Sequence, residues 1–277
     1  MKISLSTIFG FLLGIGLFLY AVYGATGTLL GVMMFVQAAS VAIVLGGTVA
    51  ATMISYEGRY VWKAMGTLSK VFVPTAVNAA SLFSTVELVI GWGKIGARDG
   101  LLALESEFKK VDTEKDPFLA HCIQLFLAGY EKENLRQKLN TFINKSYERN
   151  MVQATILNTM ANISPGFGMI GTLVGLVAML GNLDPSDPSG LGESLSLALL
   201  TTLYGTMFAQ LIFKPASRRA EQKEQIQKFK NQLIADGFLL LLSRANSVEI
   251  QDHLNSYLDP AIHFDIARKG EESASNE

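Results

Sequence analysis

Charged side chains are missing from long stretches of this sequence, and that gap constrains the fold more than any other feature. Residues 5–24 form a 20-residue run without a charge, and after a tight Ala25-Thr26-Gly27-Thr28 link residues 29–55 form a second. Each has the roughly 20 apolar residues needed to cross about 30 Å of hydrocarbon. Residues 151–183 are the third such run, with Pro165 near the middle, and 195–213 the fourth, ended by Lys214-Pro215. Between the last two lies Asp184-Pro185-Ser186-Asp187-Pro188-Ser189-Gly190, a dense turn signal. The first run is read as a retained helix rather than a secretory leader. Only Lys2 precedes it, and a second span follows at once. Composition agrees: 17% of the 277 residues are charged, against about 25% in soluble chains, and 49% are hydrophobic. The expected fold is therefore an all-α membrane protein, with four transmembrane helices and a helical cytoplasmic domain. That domain is formed by the segment between spans 2 and 3 plus the C-terminal tail.

Basic residues orient the spans. Of 23 Lys and Arg, 13 fall between Arg59 and Arg149, 9 lie from Lys214 onward, and the last is Lys2. Neither short inter-helix link carries one. The positive-inside rule then places both termini and the middle segment in the cytoplasm. The expected division is a transmembrane hairpin in 1–55, a cytoplasmic helical domain in 56–150, a second hairpin in 151–215 and a cytoplasmic helical tail in 216–277. Residues 87–111 alternate near helical spacing, with Leu101, Leu104 and Phe108 on one stripe. Asp116-Pro117 reads as a helix start. Residues 118–130 continue that helix, a charged helix over 131–149 leads into the third span, and 216–259 are again helical. From about Lys269 the composition is that of disorder.

Several function classes drop out. A net charge of −1 argues against a nucleic-acid binder. One cysteine, Cys122, excludes an internal disulfide framework, and the scattered His121, His253 and His263 make a poor metal site. No phosphate loop, dinucleotide fingerprint or nucleophile elbow is visible, so neither an enzyme nor a bound cofactor is expected. His121 and Cys122 are read as packing in an apolar helix. Tyr60 and Trp62 suit an interfacial anchor. Glu193, Asp184 and Asp187 either cap and solvate the outer turn or draw cations to a channel mouth.

Small and hydroxylated residues carry what chemistry the spans offer. Gly10 and Gly14 form a GxxxG pair, as do Gly171 and Gly175, while Ala38-Ala39 and Gly46-Gly47 line the second span. Such positions let helices approach closely, within one subunit or between subunits of a ring. Pro165 frees a backbone carbonyl one turn earlier, which in lipid must face protein or water. Thr172, Thr201, Thr202 and Tyr204 add hydroxyls. Each threonine is either back-bonded to its own helix or part of an ion path. Ion relays across lipid normally need an ionisable group in the membrane, and these spans have no carboxylate. If the chain moves ions, a partner must supply it.

The run from Pro165 to Leu176, PGFGMIGTLVGL, followed by ALLTTLYGT from Ala198 and then Lys214-Pro215, closely resembles the MotA/PomA channel subunits of flagellar stators, in the MotA/TolQ/ExbB proton channel superfamily. The four-span layout resembles them too, whereas the TolQ/ExbB branch usually has three. The resemblance implies a homopentamer surrounding two copies of a single-span MotB/PomB-like partner, which brings a membrane aspartate and a peptidoglycan-binding domain. Protons or sodium ions pass the aspartate, the ring turns, and its cytoplasmic rim pushes the rotor's switch-complex protein. Pro165 and Pro215 match family prolines tied to gating and torque coupling. Thr172 and Thr202, with Thr201 beside them, match hydroxyls on the ion pathway and incline the reading toward sodium. The family's rotor contact flanks a Gly-Leu-Leu-Ala-Leu-Glu stretch, here Gly100 to Glu105. Ala97 stands where the family has its first arginine, so Arg98 is the residue placed to take that role with Glu105. The two lie seven apart, two turns along one helix face. The alternative for these charges is an ordinary solvated surface with Lys94 and Lys109.

The expected function is thus the channel-forming subunit of an H+- or Na+-driven flagellar stator. An ExbB/TolQ-like or other non-flagellar motor is the alternative, and a passive membrane scaffold a third.

Overall fold

The computed structural model describes residues 5–69, 79–111, 116–181 and 189–266, and these are helical apart from short connections. Lys2, the inter-helix residues Asp184 and Asp187, and the tail from Lys269 lie outside the described residues. Among the described residues, four helices are long and apolar enough to cross a membrane: Thr7–Thr26, Gly31–Ser55, Lys132–Gly181 and Leu191–Leu242. The chain is a multi-pass, all-α membrane protein. It divides into two compact units, Met1–Pro74 with Asn150–Gln222 and Thr75–Arg149 with Lys223–Glu277.

In the first unit α1 spans Leu5–Thr26. It runs past Gly24 because the Thr26 hydroxyl donates to the Val22 carbonyl (2.9 Å) and holds the last turn, and Gly27, at φ +68°, ends it. The second apolar run departs from a single helix. Thr28 caps a 3-10 helix over Leu29–Phe35, and Val36 and Gln37 are extended. The helix then resumes as α2 (Ala38–Val41), a π turn (Ala42–Gly46) and α3 (Gly47–Ser55). A break at membrane depth must have its backbone groups satisfied by protein. Here the Tyr204 hydroxyl donates to the Phe35 carbonyl and lies 3.4 Å from the Gln37 amide, while Ser40 donates to the Gln37 side chain at 2.6 Å. α4 covers Gly58–Leu68.

Neither span proline ends its helix. α8 runs unbroken from Lys132 to Gly181 through Pro165, so the charged helix expected over 131–149 and the third span are one element. Proline costs one hydrogen bond there, and the intact turns on both sides outlast that loss. Lys214-Pro215 is the larger departure. α9 (Ser189–Met207) passes through a π segment, Phe208–Phe213, directly into α10 (Lys214–Leu242). The Lys214 amide bonds to the Ala209 carbonyl, an i to i−5 step. The wider turn carries the chain past a residue without an amide hydrogen.

The second unit contains α5 (Ala79–Asp99), α6 (Leu101–Phe108), α7 (Pro117–Leu127), α11 (Ser247–Asn255) and the adjoining stretches of α8 and α10. Asp116 caps α7 by accepting from the Leu119 amide at 3.1 Å, with Pro117 at the first helical position. The same carboxylate accepts from Lys230 Nζ at 2.5 Å, with both side chains largely buried. The core is aromatic. Trp92, Phe108, Phe126 and Phe238 meet at ring-centroid distances of 4.9–5.8 Å, mostly edge to face. Cys122 is fully buried in this core, where desolvation raises its thiol pKa.

The expected single helix over 87–111 is two. Gly100 adopts φ +83°, a left-handed conformation open to glycine, and separates α5 from α6. Arg98 and Glu105 therefore do not share a helical face two turns apart. Leu104 and Phe108 are buried as the stripe predicted.

Phe238→Ala should cost about 3–5 kcal/mol, the usual penalty for emptying a buried aromatic site. Leu102, 84% exposed, should tolerate alanine within about 0.5 kcal/mol. Denaturant titration of the purified full chain, followed by circular dichroism, compares them. His121 stacks on Phe142 at 4.6 Å, and burial lowers its pKa from the ordinary 6.5. Below that value the unfolded chain takes up a proton that the folded one refuses. This contribution is complete above pH 6.5 and shrinks as the pH falls toward the folded pKa. His121→Phe should flatten the thermal stability profile between pH 7 and 5, and an unchanged slope would contradict this account.

Candidate functional site

The site is built on the contact between α8 and α9, and glycines set its distance. A Cβ on Gly175 would lie 2.7 Å from the Ala198 nitrogen and the Ser194 oxygen; one on Gly168, 2.9 Å from the Thr201 oxygen; one on Gly205, 2.9 Å from the Ser164 oxygen. All of these neighbours are backbone atoms, so the helices touch main chain to main chain. Ser164, fully buried, adds a 3.0 Å hydrogen bond to the Gly205 carbonyl. Gly171 and Gly175 thus pack within the chain. Gly10 of the other GxxxG pair faces open space, and Gly14 only touches Leu211.

That approach brings Thr172 and Thr202 together, with their Oγ1 atoms 2.5 Å apart. Thr172 Oγ1 also lies 3.1 Å from the Gly168 carbonyl and 3.0 Å from the Ala198 carbonyl. A hydroxyl has one proton and two acceptor lone pairs. Thr172 is best placed to give its proton to a carbonyl, because Thr202 is a long 3.5 Å from the Gly168 carbonyl and has Thr172 as its short partner. Thr202 then donates to Thr172 and keeps its own lone pairs as acceptors. Thr172 is half-buried and Thr202 exposed. The edge around them is apolar, with Met169, Leu173 and Leu199 all exposed.

Thr201 takes no part in this edge. It is fully buried against Gly171, and its hydroxyl donates to the carbonyls of Leu197 and Ala198, both at 3.0 Å. It packs the helix pair. Thr206 does lie on the exposed side, one turn beyond Thr202, with its hydroxyl 3.0 Å from the Thr202 carbonyl. Sequence reading passed over it, although the i, i+4 spacing from Thr202 was available. Sequence reading also missed Lys214, whose Nζ donates to Asn158 at 2.9 Å, and Ser217, whose buried hydroxyl donates to the Ala154 carbonyl at 2.8 Å. Pro165 is half-buried on α8, and Pro215 is exposed just past the π segment.

In the second unit Arg98 grips Asp99 with two nitrogens at 2.9–3.0 Å, raising the guanidinium pKa and lowering that of the carboxyl. Glu105 pairs with Lys109 at 3.2 Å. Both pairs are exposed, and neither links the other's helix. Among the described residues no group of three or more His, Cys, Asp or Glu is arranged to hold a metal.

A glycine-seated helix pair presenting two hydroxyls, beside spans without a carboxylate, is a pattern that comparison with known proteins can test. The sequence profile of the MotA/TolQ/ExbB proton channel family matches residues 110–232. Motility protein A of Borreliella burgdorferi is 33% identical over 257 residues, covering 93% of this chain and 95% of that one. Chemotaxis protein PomA of Vibrio alginolyticus is 30% identical over 226 residues, covering 82% of this chain and 85% of that one. The chain belongs to the MotA/TolQ/ExbB proton channel family. Within that family, both of these relatives are named for motility or chemotaxis. The fold agrees: a chain in the structure of C. jejuni MotAB superposes with a TM-score of 0.82 at 22% identity, over 93% of this chain and 96% of that one. The family match takes in Pro165, Thr172, Thr201, Thr202 and Pro215, whereas Arg98 and Glu105 precede it.

Gly175→Val should separate α8 from α9, since the new side chain meets backbone that cannot turn away. The expected cost is about 1–3 kcal/mol. Gly10→Ala, with nothing near its Cβ, should be neutral or slightly stabilising. Melting temperatures of the two purified variants decide it.

Proposed function

We propose that this chain forms, as a homopentamer, the channel ring of an ion-driven flagellar stator in the bacterial inner membrane, with both termini in the cytoplasm. At the centre of the ring sits a single-span partner of the MotB/PomB kind, whose membrane aspartate completes the ion path. The observation that carries this reading is the Thr172–Thr202 pair. It lies on an exposed edge of two spans that contain no carboxylate, and a hydroxyl there keeps lone pairs able to accept.

The chemistry follows from those lone pairs. Thr202 can accept a hydrogen bond from a protonated carboxylic acid, or lend an oxygen to a partly dehydrated cation beside a carboxylate. In either case the partner's aspartate becomes neutral when loaded, and a neutral group crosses an apolar edge at far lower cost than a charged one. Met169, Leu173 and Leu199 supply that edge. Loading at one subunit and release at the next then advances the ring. Two oxygens at one position suit Na+, a hard cation that takes oxygen ligands, better than a bare proton transfer. Pro165 and Pro215 sit where a missing backbone hydrogen bond softens each span, and we assign them to coupling ion passage with movement of the cytoplasmic helices. Arg98 and Glu105, on separate helices either side of Gly100, are assigned to the rotor's switch-complex protein as two independent charged contacts. Opposite charges on the rotor would exchange with their present partners, Asp99 and Lys109.

Deletion of the gene, in a strain with no second stator set, should leave cells with intact filaments that do not swim. Thr201→Ser should restore swimming. Thr172→Ala with Thr202→Ala should not, although the ring still assembles with its partner. Swimming speed of the wild type should track external Na+ and resist a protonophore at neutral pH. Full swimming by the double alanine variant would sink the hydroxyl assignment, and Na+-independent swimming would assign the motor to protons. Normal swimming of the deletion strain would move the load away from the flagellum.

A further inference from the structure

A cavity of about 540 Å³ opens beside the start of α10 in the membrane unit, away from the Thr172–Thr202 edge. Its walls are apolar: Phe11 of α1, Leu211 and Ile212 of the π segment, and Pro215. Gly10 leaves one wall open, since a Cβ there would meet nothing within 4 Å. Arg219 lines the same cavity, and its guanidinium donates to the Thr7 hydroxyl across it. The volume falls within the about 300–1,000 Å³ typical of ligand sites.

Position along the helices says what kind of ligand fits. Thr7 lies near the start of the first apolar run, and Phe213 closes the fourth. Arg219 is six residues beyond Phe213, about 9 Å along a helix axis at 1.5 Å per residue. Side chains lean toward a helix N-terminus, which for α10 is the membrane end, so Arg219 reaches back to headgroup depth and meets Thr7 there. The cavity therefore joins an apolar trough at acyl-chain depth to a permanent cation at phosphate depth. A neutral apolar molecule would not use the cation, and a small free anion would not use the trough.

We propose that this cavity binds one monoanionic glycerophospholipid from the leaflet on the Arg219 side, with its phosphate on Arg219 and an acyl chain along Phe11, Leu211 and Ile212. On the orientation proposed above this is the cytoplasmic leaflet. Arg219 forms a forked, charge-assisted contact with the phosphate, and Gly10 keeps the trough open for the chain. Because Pro215 forms part of the wall, the lipid wedges against the point where the fourth span softens.

The test uses the ring purified with its partner subunit and placed in nanodiscs of phosphatidylcholine with a minority of phosphatidylglycerol. After re-extraction into detergent and washing, the retained lipids are counted by mass spectrometry. Wild type should hold phosphatidylglycerol in clear excess over its share of the bilayer. Arg219→Gln should reduce that enrichment about tenfold, as loss of a charge-assisted hydrogen bond implies. Gly10→Leu should instead expel both lipids while the ring remains intact by size-exclusion chromatography. Inorganic phosphate in the wash should leave the lipid bound. The proposal is overturned if Arg219→Gln keeps the enrichment, if inorganic phosphate displaces the lipid, or if Phe11→Cys cross-links one copy to its neighbour through the cavity. Lipid counting needs neither ion flow nor a rotor, so its failure is separate from failure of the stator reading.

Discussion

Main-chain contact between α8 and α9 is the constraint on which the site depends. Lipid gives helices no hydrophobic reason to associate, so packing at close range and hydrogen bonds across the gap must hold them. Gly168, Gly175 and Gly205 each face a backbone atom that an added Cβ would strike, and Ser164 bonds across to the Gly205 carbonyl. At any larger separation Thr172 and Thr202 would bond only along their own helices. At this one they lie 2.5 Å apart and bond to each other.

The same absence of water explains the irregular second span. A break at Val36 and Gln37 would be costly in hydrocarbon without partners, and Tyr204 of α9 supplies them. Tyr204 lies two residues past Thr202, so the helix that carries Thr202 also holds the broken one closed. In the fourth span the irregularity is tied to proline. The π segment before Pro215 keeps the fourth span continuous with α10, and it forms a wall of the cavity assigned to lipid.

The second unit follows the rules of a soluble domain. An interlocked aromatic core around Phe238 and a buried Asp116–Lys230 pair fix it, while its surface ion pairs are exposed and individually weak. Arg98 and Glu105 are such surface groups. Releasing Asp99 or Lys109 from them costs little.

The sequence by itself determined the all-α class, the four apolar spans, the Asp116-Pro117 helix start and the buried Leu104–Phe108 stripe. Each follows from a local rule: missing charge, capping chemistry or helical periodicity. It also singled out Thr172, Thr201 and Thr202 as a group, without the means to divide them. Only the tertiary structure could do that, because adjacent threonines on one helix point about 100° apart, and which of them faces the neighbour depends on where that neighbour lies. Thr201 turned into the contact, while Thr202 and the overlooked Thr206 turned out of it. Gly100 was legible as a glycine but not as a break, since glycine sits inside helices as well as between them until φ is known. Pro215 erred in the other direction: a proline after a charged residue reads as a stop, and the π turn that carries the helix past it is set by packing across the whole segment.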